Sequence, residues 1–405
     1  MGYFIFVFTA IYFSLSTYLF YHLRRMRISR NLYWGLLLFF ASSFLLGAAV
    51  NWIEIPFSKE VESWFRAFLF ACFVALVMST PILLLSDLIR WGKIGYMRLI
   101  ASGDYTSVKA FRSRRDFLSS AAITIGAIPF TSLIAGIGGK YHYKIHRYDL
   151  SFSNLPKAFD GFKIVQLSDF HLGSFDDLGA VSEGLDLVNE QQPDLLLFTG
   201  DMVNYKSMEA DPFIFMLEKL EAPFGKFSVL GNHDYATYND DFDFEQSRAD
   251  VERLIDLQLK MGFHNLRNES VKIYSGDDYF QLVGVENWGT GRFLKAGDLN
   301  RASKELNPEL FTILMSHDPS HWEAEVIDHY HPFDLTLSGH THGFQYGIEV
   351  AGLKWSPSKF RYPQWAGMYE KRGRLINVNR GFGFLGYPGR FGIWPEITVI
   401  TLKSA

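Results

Sequence analysis

The chain has 405 residues, and its 39 lysines and arginines nearly balance 43 aspartates and glutamates, for a formal net charge of -4. That length is too great for one small domain, and the charge balance excludes a nucleic-acid binder held by bulk positive charge, so any anionic partner has to be met locally. The single cysteine, Cys72, lies inside an apolar run, which excludes a disulfide framework within one chain.

Apolar residues concentrate in the first third. Stretches near 3–21, 32–50, 66–89 and 117–137 approach the roughly 20 residues that carry a helix across a bilayer, where a helix satisfies its own backbone. Residues 1–139 are therefore expected to form a transmembrane α-helical bundle of four spans, the third kinked at Pro81. Between the first two spans stand Arg24, Arg25, Arg27 and Arg30; between the next two stand Glu54, Lys59, Glu60 and Glu62. The last connection carries Arg90, Lys93, Arg98, Lys109, Arg112, Arg114 and Arg115. Basic loops stay cytoplasmic, so the alternation predicts a multi-pass protein of the cell membrane whose C-terminal part lies on the extracytoplasmic, periplasmic side. Ser113-Arg114-Arg115-Asp116-Phe117-Leu118 reads either as a twin-arginine export signal or as an ordinary positive flank, and both readings export the C-terminal part of the chain.

From Tyr141 onward, short apolar runs alternate with polar segments of helix length, the pattern of an α/β domain over 140–405. Strands are predicted over 163–167, 194–199, 227–230, 279–285, 311–315 and 334–337, and helices near 177–191, 209–221, 244–261 and 320–330. Five of the six runs end on side chains able to hold a metal: Asp169 and His171, Asp201, Asn232-His233-Asp234, His317, and His340 with His342. Ligands of an open α/β sheet bind beyond the carboxyl ends of its strands, so these clusters can converge on one crevice. Imidazoles with carboxylates suit zinc, manganese or iron, and a cysteine-type zinc site is excluded. Two such divalent ions roughly 3.5–4 Å apart can clamp a phosphate and activate a bridging water or hydroxide for in-line attack.

The order Asp-x-His, Gly-Asp, Gly-Asn-His-Asp, His, Gly-His-x-His resembles the motif set of the calcineurin-like metallophosphoesterases, and the match runs from about Tyr148 to Leu402. The segments around Ser316-His317-Asp318-Pro319, Ser338-Gly339-His340-Thr341-His342-Gly343 and Pro395-Glu396-Ile397-Thr398 resemble the bacterial membrane-anchored branch, some of whose members hydrolyse UDP-diacylglucosamine. The resemblance implies a four-layer αββα sandwich around two sheets. It also implies that Asp169, His171 and His342 hold one metal, that Asp201 bridges, and that Asn232, His317 and His340 complete the second. His233 would face the substrate as acid or phosphate contact, oriented by Asp234. Phe344 stands where relatives often have a second glycine, which would narrow the cleft.

Two further features bear on partners. His146, His264, His321, His329 and His331 match no motif and are read as ordinary surface or helix residues. Between Ala351 and Trp394 the cations Lys354, Lys359, Arg361, Lys371, Arg372, Arg374, Arg380 and Arg390 are interleaved with aromatics against one acid, Glu370, a composition that suits anionic lipid headgroups. The substrate is therefore expected to be a lipid-linked phosphate ester or pyrophosphate at the membrane bilayer, with no nucleic acid involved. A soluble nucleotide-type substrate and a non-enzymatic, metal-dependent sensing module remain as alternatives.

Overall fold

The computed structural model describes residues 2–24, 30–52, 59–100, 108–239 and 241–405. Arg25, Arg27 and Glu54, and the side chains of Lys59, Glu60, Arg98, Lys109, Arg112, Arg114 and Arg115, on which the expected orientation rests, lie outside the described residues. The chain divides into two compact units, Met1–Ile137 and Gly138–Ala405.

The first unit consists of helices α1 (Gly2–Leu23), α2 (Arg30–Trp52), α3 (Lys59–Ile100) and α4 (Val108–Gly136). Among the described residues, two stretches, Val61–Tyr96 and Phe117–Gly139, are long and apolar enough to cross a membrane. Helix α3 continues through Pro81 as one 42-residue element. It approaches α4 closely where small residues meet: a Cβ on Gly126 would stand 2.2 Å from Ser79 Oγ, and Ser79 Oγ donates to the Ala122 carbonyl at 2.9 Å. Asp87 of α3 is buried, and its Oδ2 lies 3.0 Å from Tyr18 Oη and 3.1 Å from His22 Nε2 on α1, so the apolar helices do enclose an ionisable group.

The second unit runs in the order β1 (Lys144–Phe152), β2 (Lys163–Leu167), α5 (Leu178–Glu190), β3 (Leu195–Phe198), α6 (Ile214–Glu218), β4 (Lys226–Ser228), α7 (Phe244–Lys260), β5 (Phe263–Asn265), β6 (Glu269–Ser275) and β7 (Asp278–Gly284). It continues through α8 (Leu299–Ala302), β8 (Thr312–Met315), β9 (Leu335–Ser338), β10 (Ile348–Val350), β11 (Leu353–Trp355), β12 (Gly367–Lys371), β13 (Arg374–Val378) and β14 (Glu396–Ser404). These strands make two six-stranded mixed sheets, β1-β14-β2-β3-β4-β5 and β12-β13-β9-β8-β7-β6, with β10-β11 as a separate hairpin.

Alternation along the strands places the layers. In β2 and β3, Ile164, Leu195 and Leu197 point between the sheets to meet Phe280, Leu282, Ile313 and Leu335. Val165, Leu167, Leu196 and Phe198 point outward to α5 and α7 through Val181, Leu185, Leu254 and Leu257. The far face of the second sheet packs Leu314 and Ile376 against Trp322 and Val326. Strands buried on both faces read as continuous apolar runs, which is why the six predicted ones are found. The helix expected near 320–330 is found in shortened form, helical from Ser320 and π-helical over Trp322–Val326, and the one near 209–221 is a 3-10 segment, Ser207–Phe213, leading into α6.

A buried ion pair secures the start of β14. Arg380 and Glu396 are both almost fully buried and paired through Nη1 and Oε2. Burial alone would push the Glu396 carboxyl up, but the Arg380 guanidinium outweighs it and brings the group down to about 2. A carboxyl depressed in the folded state contributes stability that is complete above the unfolded value of about 4.3 and is lost as pH falls toward 2. Glu396→Gln should lower stability at pH 7 by on the order of 3 kcal/mol and flatten the decline between pH 4.5 and 2, as followed by thermal unfolding of the full chain across that range.

Candidate metal centre

The carboxyl ends of β2, β3 and β4 in one sheet and of β8 and β9 in the other open on the same crevice. Two groups of donors form there, Asp169 with His171 and His342, and Asp201 with His317 and His340, the ligand atoms of each group lying within 4.8 Å of one another. Asp201 also joins the groups: its Oδ2 is 3.6 Å from His171 Nε2 and 3.2 Å from His317 Nε2. Asp169 Oδ1 lies 3.4 Å from His342 Nε2, and His340 Nδ1 lies 3.2 Å from His317 Nε2. Asn232 is buried beside them and donates from its amide to Tyr238 Oη at 3.0 Å.

The backbone reaches these positions under strain. Asp169, His171, Asp201, His340 and His342 all have positive φ, between 48° and 71°, in a region that costs a non-glycine residue about 1–3 kcal/mol. Two glycines permit the approach. A Cβ on Gly339 would stand 1.9 Å from Ser168 Oγ and 2.2 Å from Asp169 Oδ2, and one on Gly200, at φ +96°, would stand 2.8 Å from His317 Nδ1.

The rings are held by their second nitrogens. His317 Nδ1 donates to the Thr199 carbonyl at 2.7 Å, His171 Nδ1 donates to Asn204 Oδ1 at 3.0 Å, and His340 Nε2 meets Tyr362 Oη at 2.8 Å. His233 donates from Nδ1 to the Asn204 carbonyl at 2.8 Å and stacks on Tyr238 with centroids 4.4 Å apart.

One expectation is corrected here. Asp234 does not orient the His233 ring: its carboxylate accepts from the backbone N–H groups of Gly231, Asp201, Met202 and Val203, at 2.8–3.2 Å. It fastens the loop after β3 to the loop after β4, and Asn204, which no motif in the sequence singles out, holds the ring. The only sequence signal for Asn204 is its place three residues after Asp201 in the same strand-end loop. Two unmatched histidines are also not on the surface. His331 is buried, and His321 is buried with Nδ1 2.9 Å from Ser316 Oγ.

The donor set fits divalent cations. Among the described residues His171 Nε2, His342 Nε2 and Asn232 Oδ1 are buried atoms that find no hydrogen-bond partner, a costly condition that a cation would relieve. Burial pushes His171 down to about 3 and His340 down to about 4, keeping both rings in the neutral form that ligates metal. Burial alone would lower His317 too, yet the carboxylates of Asp201 and Asp169 push it up to about 10, so the crevice attracts positive charge. Asn204→Ala should leave the fold intact and weaken manganese or zinc binding about 10–100-fold, because His171 loses its anchor while the carbonyl still holds His233; direct metal titration of the purified full-length variant checks it.

The chain matches the family model for calcineurin-like phosphoesterases over residues 162–344 and that of a probable calcineurin-like phosphoesterase transmembrane domain over residues 1–140. It is 34% identical over 305 residues to the uncharacterized metallophosphoesterase YkuE of Bacillus subtilis, covering 72% of this chain and 98% of that one. It is 30% identical to the phosphodiesterase YaeI of Escherichia coli, over 72% of this chain and 99% of the relative. With the UDP-2,3-diacylglucosamine pyrophosphatase LpxG of Chlamydia trachomatis it shares 28% identity, over 57% and 81% of the two chains. The crevice of imidazoles and carboxylates therefore belongs to a membrane-associated hydrolase, and the chain is a member of the calcineurin-like metallophosphoesterases.

Proposed function

We propose that residues 140–405 are the catalytic domain of a dinuclear phosphoesterase that cleaves a phosphate ester or pyrophosphate bond of a lipid-linked substrate. Residues 1–139 would be its four-span, multi-pass anchor, with the catalytic domain on the periplasmic side. The observation that carries the chemistry is the single Asp201 carboxylate shared between two donor groups. In this reading Asp169, His171 and His342 hold the first ion, Asp201 bridges, and Asn232, His317 and His340 hold the second. Manganese, zinc and iron all suit these donors. A divalent pair supplies Lewis acidity toward phosphoryl oxygens and lowers the pKa of bound water.

The remaining work falls to the chain. With Nδ1 committed to the Asn204 carbonyl, His233 has Nε2 left for a non-bridging oxygen or, when protonated, for the leaving oxygen. Stacking on Tyr238 fixes the plane of that ring. Asp234 acts one step back, holding the Asp201 loop in its strained conformation. The lipid-linked substrate class is supported by the transmembrane domain family and by the similarity to LpxG, a UDP-2,3-diacylglucosamine pyrophosphatase.

Purified full-length protein loaded with manganese or zinc should hydrolyse a lipid pyrophosphate or lipid phosphate in mixed micelles faster than nucleotides presented beside it. Turnover of nucleotides alone would put a soluble substrate in its place. Asp201→Asn should lose both the metal pair and nearly all turnover. His233→Ala should retain two metals while losing about a hundredfold in kcat; equal metal loss in His233→Ala and His340→Ala would make His233 a ligand. A tag after Ala405 should be reached by impermeant reagents from outside the cell membrane, and one within 91–110 should not. Cytoplasmic labelling of the C-terminus would overturn the periplasmic placement.

A further inference from the structure

Many cations of the basic, aromatic stretch that suggested lipid contact are neutralised or held by partners within the domain, some at its surface and some buried. Lys371 pairs with Glu323, Arg372 with Asp328, and Arg380 with Glu349 and Glu396. Arg374 donates to the carbonyls of Val326 and His329, and Arg390 is fully buried. Part of the surface that the same region exposes is apolar.

After His342 the chain makes an excursion through the β10–β11 hairpin and returns at Tyr362, whose hydroxyl touches His340. Its register pairs Ile348 with Trp355, Glu349 with Lys354 and Val350 with Leu353. Side chains alternate across a strand, so Ile348, Val350, Leu353 and Trp355 share one face and Glu349 and Lys354 the other. The polarity is inverted relative to a hairpin facing water. The charged face is tied to the domain: Glu349, though still partly exposed, accepts from Arg380 Nε and Nη2 at 3.0 and 2.7 Å, and Lys354 donates to the Ala366 carbonyl. The apolar face turns outward, with Val350 68% exposed, Leu353 61% and Ile348 45%. Phe344 and Phe360, at the two ends of the excursion, are 59% and 79% exposed.

Cations border this surface. Phe360 stands between Lys359 and Arg361, and all three are exposed. The loop carrying exposed Arg292 passes beside Arg361, whose Nη2 lies 3.4 Å from the Thr290 carbonyl. Among the described residues no carboxylate pairs with Arg292, Lys359 or Arg361. An outward apolar cluster edged by unneutralised cations is complementary to an anionic lipid surface: apolar groups enter the acyl boundary while arginine and lysine meet phosphate.

We propose that the outer face of the β10–β11 hairpin, with Phe344, Phe360 and the cations Arg292, Lys359 and Arg361, is a bilayer-docking surface beside the metal centre. It rests on the membrane-associated reading and gives the lipid-linked substrate its route, since the docked excursion is bounded by His342 and by Tyr362, the partner of His340. A lipid substrate need then leave the bilayer only by the depth of its headgroup.

The test uses the full-length chain in a Cys72→Ala background, reconstituted into nanodiscs of phosphatidylcholine with phosphatidylglycerol. An environment-sensitive fluorophore is placed on Val350→Cys, on Leu353→Cys, or on Asp277→Cys, an exposed position before β7 at the opposite end of its sheet from the crevice. Probes at 350 and 353 should be blue-shifted and quenched by doxyl-labelled lipid, and the probe at 277 should not. Lys359→Glu with Arg361→Glu should reduce the quenching. A Val350→Asp, Leu353→Asp variant should lose about tenfold in turnover of a bilayer-borne lipid phosphate and keep its rate on a soluble aryl phosphate. Equal, water-like emission at 277, 350 and 353 would overturn the docking surface. So would shielding without doxyl quenching in a particle of doubled protein mass, which would assign the face to a second copy of the chain. Quenched probes with no lipid cleavage would refute the substrate reading and leave the docking surface standing.

Discussion

The carboxylate of Asp201 is the point on which the crevice depends. Its Oδ1 accepts from the His233 backbone at 2.8 Å, its Oδ2 sits between His171 and His317, and its own N–H is held by Asp234. Gly231 has no room for a side chain because Asp201 Oδ1 occupies the place where its Cβ would go. An acid so placed, buried and facing three imidazoles, is tolerable only with compensating positive charge. The elevated proton affinity of His317 expresses the same demand.

Holding that geometry requires more than the donors themselves. Several donor residues sit in a backbone region that L-residues seldom occupy, and such strain persists only where the surroundings over-determine it. The surroundings here are backbone contacts: Asp234 gathers four N–H groups from two loops, and both oxygens of Asp169 receive the His340 N–H at 3.0 Å. Arg380, next to Gly381, extends the support outward, linking Glu396 at the start of β14 to Glu349 of the exposed hairpin. The excursion beside the site is thereby tied to the core on its charged side.

Much of this was legible in the sequence, and the reasons for success and failure are physical. Central strands such as β2 and β3 carry apolar residues on both faces, so their runs announce themselves, and metal-capable residues stand directly at their ends. Strand β1 reads poorly because all nine of its residues are half-buried or exposed, and its pairing with β14 joins segments 252 positions apart, as in Lys144 with Glu396. The role of Asp234 was misassigned because adjacency to His233 says nothing of where a carboxylate points. The run of cations after Ala351 is only partly informative for a similar reason: composition counts charges but not the carboxylates, from Glu323 to Glu396, that neutralise Lys371, Arg372 and Arg380 and leave Lys359 and Arg361 without one among the described residues. The hairpin escaped notice because inverted polarity looks, in one dimension, like ordinary alternation.

The two donor groups are each divided between the sheets. Asp169, His171 and Asp201 follow strands of one sheet, and His317, His340 and His342 follow strands of the other. A cation bound in either group is therefore a rivet across the seam of the sandwich as well as a reagent. Because binding to the folded form alone is repaid as folding free energy, a bound ion would add to the stability of the whole domain. Without the ion that contribution would be withdrawn, and the less stable domain would be more open to proteolysis as well as idle, so its abundance would be expected to follow the metal.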